Sequence, residues 1–383
     1  MRRYGGTAGD LCFFFAPGRV NLIGEHTDYN GGNVLPAAIS MGMRAAVRYT
    51  GGRSVRLSSL DQPGSHDLDL DGEVFFDERD GWTNYPKGVA AYLLHAGYRL
   101  RGCEVLYSSD IPVGAGLSSS AAIEVLTAYL LLFPLLGDSV DRVWMARMCQ
   151  AVENRFVGVG CGIMDQFTVA MGKRDTAILL DCSSLKYKYI PAKLGDSRMV
   201  IMDTGKRRRL EESEFNERRR QCEQALSVIR LHKDIPNLCS ATLEDVEAYV
   251  PDPTLQKRAR HAVSENQRTM AAAELLARGD LEGFGSLMVE SHYSLKNNYE
   301  VTGPELDAIV EEALSQRACL GARMTGAGFA GCAIALVWAA EVPGFREKVT
   351  GGYKLRTGVD ASIYDCSLGD GARAGIPELP FPR

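Results

Sequence analysis

The order of apolar and polar residues divides the chain into a mixed first part and a mostly helical second part. Residues 11–15 form an aromatic-rich apolar run that predicts a buried strand, ended by Pro17 and Gly18 and followed by a polar turn. Residues 43–49 and 54–57 predict two strands separated by Gly51 and Gly52, a hairpin or meander. Tyr85, Val89, Tyr92, Leu93 and Ala96 recur at helical spacing and predict a half-buried helix within 82–96. Residues 103–109 predict a strand, and 121–132 are apolar for long enough to make a helix. Asp138 or Ser139 is the expected cap of a further helix whose apolar face carries Val143, Met145, Met148, Cys149, Val152 and Phe156. Strand-like patterns return at 176–181 and 199–203, which places a domain change between 172 and 200 and divides the chain into 1–180 and 181–383. Amphipathic helices are then expected at 212–230, 255–278 and 304–316, with Gly279 stopping the second, before a strand at 332–337 and an irregular tail after Gly369.

Composition narrows the class. A chain of 383 residues that is 45% hydrophobic can fill about two cores. A formal charge of −5 argues against an electrostatic nucleic-acid binder, and no apolar run is expected to span a bilayer. The first residues lack the pattern of a secretory signal, so the expected location is cytoplasmic. The ten cysteines are scattered and include no Cys-x-x-Cys pair, which favours reduced thiols over disulfides or a zinc site.

Candidate chemistry concentrates in a few stretches. Gly114, Ala115, Gly116, Leu117, Ser118, Ser119 and Ser120 stand between a predicted strand and a predicted helix. Two glycines allow close backbone approach, the hydroxyls add donors, and the first amides of a helix are free to bind phosphate. A serine-capped turn has the same local pattern. Arg19, Glu25, His26, Thr27 and Asp28 lie in one turn-rich stretch, where carboxylates and an imidazole can read the hydroxyls of a sugar, or simply face water. Asp165 follows Gly162 amid apolar residues; a buried carboxylate needs a partner, for which Arg19 is the candidate, and capping of the next helix is the alternative. Glu153 is a candidate magnesium ligand or one half of a surface pair with Arg147 or Arg155. The other histidines, at 66, 95, 232, 261 and 292, are assigned no chemistry, and the run 206–209 with Arg218, Arg219 and Arg220 reads as a solvated helix face among glutamates.

Taken together, the stretches 18–29, 114–120, 161–167 and 324–329 resemble the galactokinases, within the superfamily that also holds homoserine, mevalonate and phosphomevalonate kinases. The Glu25-His26-Thr27-Asp28 turn is the most specific of the four, because the glycine-serine loop is shared across the superfamily. The resemblance implies an α+β, two-domain GHMP-kinase-like fold: an N-terminal domain similar to ribosomal protein S5, a C-terminal ferredoxin-like domain, and the active site between them. It implies transfer of the ATP γ-phosphate to the anomeric hydroxyl of galactose, with ATP and Mg2+ as cofactors. Asp165 then looks like the catalytic aspartate and Arg19 the cation beside it. Glu25, His26, Thr27, Asp28 and Gly162 fall among the sugar contacts, Ser120 and Glu153 on the metal, residues 114–120 around the phosphates, and Trp82 beside the adenine. A monomer or weak homodimer is the default, with small-molecule substrates and neither nucleic acid nor membrane as partner.

Two departures bear on this reading. Phe215 stands where the family carries a sugar-contacting tyrosine, which removes one hydroxyl from the site and leaves N-acetylgalactosamine, another hexose or arabinose as alternative acceptors. Ala330 replaces a glycine of the second glycine loop, which is neutral only where the backbone is not left-handed. A non-catalytic sugar and ATP sensor is the reading from another class; intact Ser118, Ser119, Ser120, Asp165 and Arg19 favour catalysis.

Overall fold

The computed structural model describes residues 7–112, 114–206 and 211–375. The strands are β1 (Cys12–Asn21), β2 (Asn33–Val34), β3 (Pro36–Tyr49), β4 (Ser54–Ser59), β5 (Ser65–Asp69), β6 (Cys103–Ser109), β7 (Thr176–Asp181), β8 (Tyr187–Pro191), β9 (Ser197–Asp203), β10 (Cys319–Met324), β11 (Cys332–Trp338), β12 (Ser362–Cys366) and β13 (Arg373–Ala374). The helices are α1 (Asn84–His95), α2 (Ser119–Leu136), α3 (Arg142–Val152), α4 (Met164–Met171), α5 (Glu211–Arg230), α6 (Leu243–Tyr249), α7 (Pro253–Arg278), α8 (Leu281–Ser294), α9 (Pro304–Leu314) and α10 (Val342–Thr357). They build a six-stranded sheet in the order β13-β1-β3-β6-β4-β5, a four-stranded sheet β10-β11-β9-β12 and a small sheet β2-β7-β8.

Four sequence expectations change. First, β1 does not stop at Pro17 and Gly18: the register on β3 shifts between Pro17 and Arg19, a bulge that tolerates a residue without an N–H, and the strand continues to Asn21. Arg19 therefore stands on a strand instead of in a turn. Second, β3 and β4 are not a hairpin, because β6 lies between them, antiparallel to β3 and parallel to β4. Parallel pairing needs a crossover, which β5 and α1 supply. Third, Asp141 caps α3, accepting from the Val143 and Trp144 amides at 3.0 Å each, whereas Asp138 accepts the Tyr129 hydroxyl. Fourth, the tail returns to the first sheet, where β13 pairs with β1 through Phe14 and Ala374.

Helix α2 occupies the centre of the N-terminal half, and every residue from 121 to 132 is buried. By length and composition it is apolar enough to cross a membrane, against the expectation that no run reaches that length. Its surroundings account for this, since it packs among α1, α3, α4, β1 and β3. The C-terminal half is α+β as expected, with α8, α9 and α10 packed against its antiparallel sheet.

The two halves share a wall. Alternation along β9 sends Met199 and Ile201 into the core of the first half and Val200 and Met202 into the core of the second. On β11, Ile334 and Leu336 face the first core, and Ala333, Ala335 and Val337 face the other.

Candidate active site

The bulge in β1 delivers Arg19, which is only 5% exposed. Its Nε and Nη2 donate to Asp165 Oδ1 and Oδ2, both at 2.8 Å, matching the fork of the guanidinium to the carboxylate. Nη1 donates to the Gly116 carbonyl at 2.6 Å. Behind it, Gly18 passes so close to the glycine-serine loop that a Cβ there would lie 2.9 Å from the Leu117 carbonyl oxygen. Ser118 takes a left-handed backbone (φ 63°), and its hydroxyl donates to Asp165 Oδ2 at 2.6 Å. Asp165 stands in the first turn of α4, where the helix dipole favours negative charge. Both its oxygens face Arg19 and Ser118, and it makes no helix-capping bond.

Asp165 and Arg19 form one end of a cavity of about 230 Å³, also lined by Glu25, His26, Asp28, Glu153, Gly162 and Phe215. Glu25 Oε2 accepts from the Asn21 amide at 2.6 Å and Oε1 from the Gly326 N–H at 2.7 Å. Burial raises the Glu25 carboxyl, opposed by Arg323 and Asn21. His26 also has a left-handed backbone (φ 62°), and burial pushes its imidazole down to about 3, so it is neutral. Its Nδ1 meets the Tyr29 hydroxyl at 2.7 Å, while Nε2 faces the Ala327 backbone without completing a well-formed hydrogen bond. Asp28 is raised to about 6 by burial and by the nearby Asp165 carboxylate. Gly162 is fixed by the same carboxylate, because a Cβ on it would lie 1.7 Å from Asp28 Oδ2. Thr27 lies outside the cavity wall; its hydroxyl faces the Gly24 and Asn33 carbonyls at 2.8 and 2.7 Å and closes the turn.

Next to Asp165 lies an acidic cluster. Glu153 is buried and pairs with neither Arg147 nor Arg155 among the described residues; Ser120, Cys161 and Gln166 donate to it. Burial, then the Asp165 charge, raises its carboxyl. Gln166 Nε2 also donates to Glu124 Oε2 at 3.1 Å, and Glu124 Oε1 has no partner among the described residues. Burial, then Glu153, pushes Glu124 well above the usual carboxylate range. Residues 114–120 are not in the cavity wall; the Gly116 carbonyl accepts from Arg19, with Gly114 and Ser119 exposed and Ala115, Leu117 and Ser118 buried. Trp82 is not in the cavity wall: its indole donates to the Pro63 carbonyl at 3.3 Å and its ring meets Tyr107 edge-on.

Several neighbours escaped the sequence reading. Tyr29, Asn216, Gly326 and Ala327 line the cavity. The first ended a motif already singled out and the last two belonged to the second glycine cluster, so a signal existed for them. Tyr299 had none; its hydroxyl meets that of Tyr29 at 2.8 Å across 270 residues. The helix read as solvated brings Phe215 against Tyr29, ring centroids 5.3 Å apart, and carries Arg218 to the Tyr299 carbonyl at 2.8 Å. Of the basic run, Lys206 pairs with Glu305 at 2.6 Å, and residues 207–209 lie outside the described residues. Ala330 is not left-handed, so its methyl group fits.

Known proteins match the chain in sequence and in fold. Residues 1–49 match the galactokinase galactose-binding signature, 84–173 the N-terminal domain of GHMP kinases and 272–351 their C-terminal domain. The galactokinase of Clostridium tetani is 46% identical over 366 residues, covering 95% of this chain and 93% of that one. That of Enterococcus faecalis is 47% identical over 380 residues, covering 96% of each. The crystal structure of Lactococcus lactis galactokinase complexed with galactose superposes with a TM-score of 0.92 at 44% identity, over 97% of both chains. Methanococcus jannaschii mevalonate kinase shares the fold, with a TM-score of 0.69 at 20% identity over 95% of this chain and all of that one. Matched over nearly its whole length and built around the same two-domain frame, the chain belongs to the galactokinase family of GHMP kinases.

Proposed function

We infer that the protein transfers the γ-phosphoryl group of ATP to the anomeric hydroxyl of galactose, giving galactose 1-phosphate and ADP. One observation carries this reading: a single guanidinium, Arg19, holds Asp165 at the end of the cavity with one edge and the Gly116 carbonyl of the glycine-serine loop with another nitrogen. The sugar cavity and the phosphate loop are thereby joined at one side chain, where an acceptor hydroxyl and a terminal phosphate must meet.

Phosphoryl transfer asks the protein to align the attacking oxygen with phosphorus and to neutralise charge on the transferring group. Glu25, neutral His26 and Asp28 orient the ring hydroxyls, with the Gly162 backbone allowing Asp28 its place. Asp165 accepts the hydrogen of the anomeric hydroxyl, while Arg19 and the loop amides face the transferring charge. Ser118 and Arg19 both donate to Asp165 Oδ2, which leaves Oδ1, with a single donor, the more open oxygen. The residues present also suit Mg2+: Ser120 and Glu153 are adjacent hard oxygen donors, and the crowding of Glu153 with Glu124 and Asp165 favours a cation. Two protein ligands are what a magnesium shared with phosphates needs, and no group of three or more His, Cys, Asp or Glu able to hold a metal ion by itself occurs among the described residues. Bound there, the ion would neutralise phosphate charge. Trp82 and residues 114–120 remain our assignment for the nucleotide side, and Thr27 for the support of the sugar turn.

We place the chain's passage between the two units in the β8–β9 connection, residues 192–196, more than ten residues beyond 180/181, because β8 pairs with β7. A cytoplasmic location fits ten free cysteines, and a monomer or weak homodimer is our default assignment. A coupled ADP-release assay across galactose, N-acetylgalactosamine, other hexoses and arabinose tests the activity. Turnover is expected on galactose. Absence of galactose turnover in both the native protein and Phe215→Tyr would defeat this acceptor, and sugar and ATP binding without any turnover would point to a sensor.

A further inference from the structure

At Gly24 and Glu25 the sugar-reading turn leans on the other half of the molecule. Glu265, in the middle of α7 and fully buried, directs Oε1 at two successive backbone amides, Gly24 N at 3.0 Å and Glu25 N at 3.3 Å. The same oxygen accepts the Ser291 hydroxyl at 2.6 Å, and Oε2 accepts from Arg268 at 2.9 Å. Burial would raise this carboxyl, but Arg268, His261, Arg323 and Ser291 hold it down at about 2. Arg323, equally buried, lies between the two glutamates: Nη1 donates to the Asn21 carbonyl at 3.0 Å and reaches Glu25 Oε1 at 3.4 Å, and Nη2 is 3.9 Å from Glu265 Oε1. Gly24 meets α7 so closely that a Cβ there would lie 2.8 Å from Thr269 Oγ1. The His26 backbone beyond it is left-handed, a conformation that persists only where the surroundings impose it.

We propose that Glu265, with Ser291 and Arg323 around it, is the positioning element for galactose recognition: it fixes the backbone of Gly24 and Glu25 and so aims Glu25, His26 and Asp28 into the cavity. This rests on the galactose reading of the site. None of these three residues lines the cavity, so they act on the sugar only through the turn.

The test compares Glu265→Ala, Glu265→Gln and Ser291→Ala. Glu265→Ala leaves two buried amides without an acceptor, and its galactose KM is expected to rise about thirtyfold, with kcat within about threefold and the ATP KM within about twofold of native. Glu265→Gln keeps an acceptor oxygen at the same place and is expected to restore the galactose KM to within about fivefold. Ser291→Ala, the variant that disturbs packing least, is expected to raise the galactose KM about threefold. A merely structural role would lower the amount of folded enzyme or shift both substrates together. Amide hydrogen exchange on sugar-free protein gives a second readout that does not depend on the substrate: Gly24 and Glu25 should exchange faster in Ser291→Ala and Glu265→Ala while β3 is unchanged. Native-like galactose KM in Ser291→Ala or in folded Glu265→Ala, or unchanged exchange at those two amides, overturns the proposal. Failure of the native protein to use galactose strikes the activity instead, and leaves the exchange measurement to decide the positioning.

Discussion

The glycine-serine loop and the sugar-reading turn meet at Arg19, yet they are built in opposite ways. The loop is local: a strand, two left-handed glycines and the start of α2 make it, and part of it stays exposed. The turn is buried and is held by side chains about 240 and 300 residues away, Glu265 and Arg323 among them. A phosphate site can be written in one stretch because backbone amides suffice to make it. Reading the stereochemistry of a sugar needs side chains fixed in three dimensions, and only tertiary packing can fix them.

Asp165, at the junction, tests the comparison most severely: Asp165→Asn should lower kcat about a thousandfold while galactose binding, measured by calorimetry, stays within a few-fold. Retained turnover would remove Asp165 from the chemistry. Gly162→Ala strikes the turn alone; its Cβ displaces Asp28, and the galactose KM should rise about thirtyfold with the ATP KM unchanged. The opposite signature belongs to the loop, where Ser118→Ala loses a hydrogen bond to a carboxylate and should lower kcat about tenfold with little change in galactose KM. If both variants moved the same constant, the division between loop and turn would fail.

A smaller effect concerns pH. Asp28 has its folded pKa raised from 3.8 to about 6, so the native protein keeps a proton that the unfolded chain has lost. Stability therefore falls as pH rises across that window and stays lower above it. Discounted for its partial exposure, the cost is about 1 kcal/mol, so sugar-free Asp28→Asn should be more stable than native by roughly that amount at about pH 8, the gain vanishing near pH 4. Denaturant titration at the two pH values checks this, and galactose binding should weaken in the same variant. Phe215→Tyr is expected to do least, changing galactose kcat/KM about threefold through one added hydroxyl beside Tyr29 and His26.

The same division explains what the sequence revealed. Strands β6 and β7 and helices α2, α5, α7 and α9 follow from local periodicity, whereas α6, α8 and α10 were not read from it, and the polar residues from 19 to 28 and at 162 to 165 stand out by type. The bulge that keeps Arg19 on a strand was hidden behind Pro17 and Gly18, which read locally as a stop. Placement of β6 between β3 and β4 depends on a crossover that no local pattern records. Glu124 and Glu265 lie inside helices whose periodicity announces burial but not chemistry, and His261 and Tyr299 showed no link to the turn they support.

The strand β9, whose odd and even residues face different cores, bears on how the protein can be cut and recombined. A fragment ending before it would leave the first core without a wall, and one beginning with it would expose Met199 and Ile201 to water. A chimera with a relative therefore has its true seam along the two faces of a single strand, and a graft will hold only when both sets of alternating side chains travel with the core each of them fills.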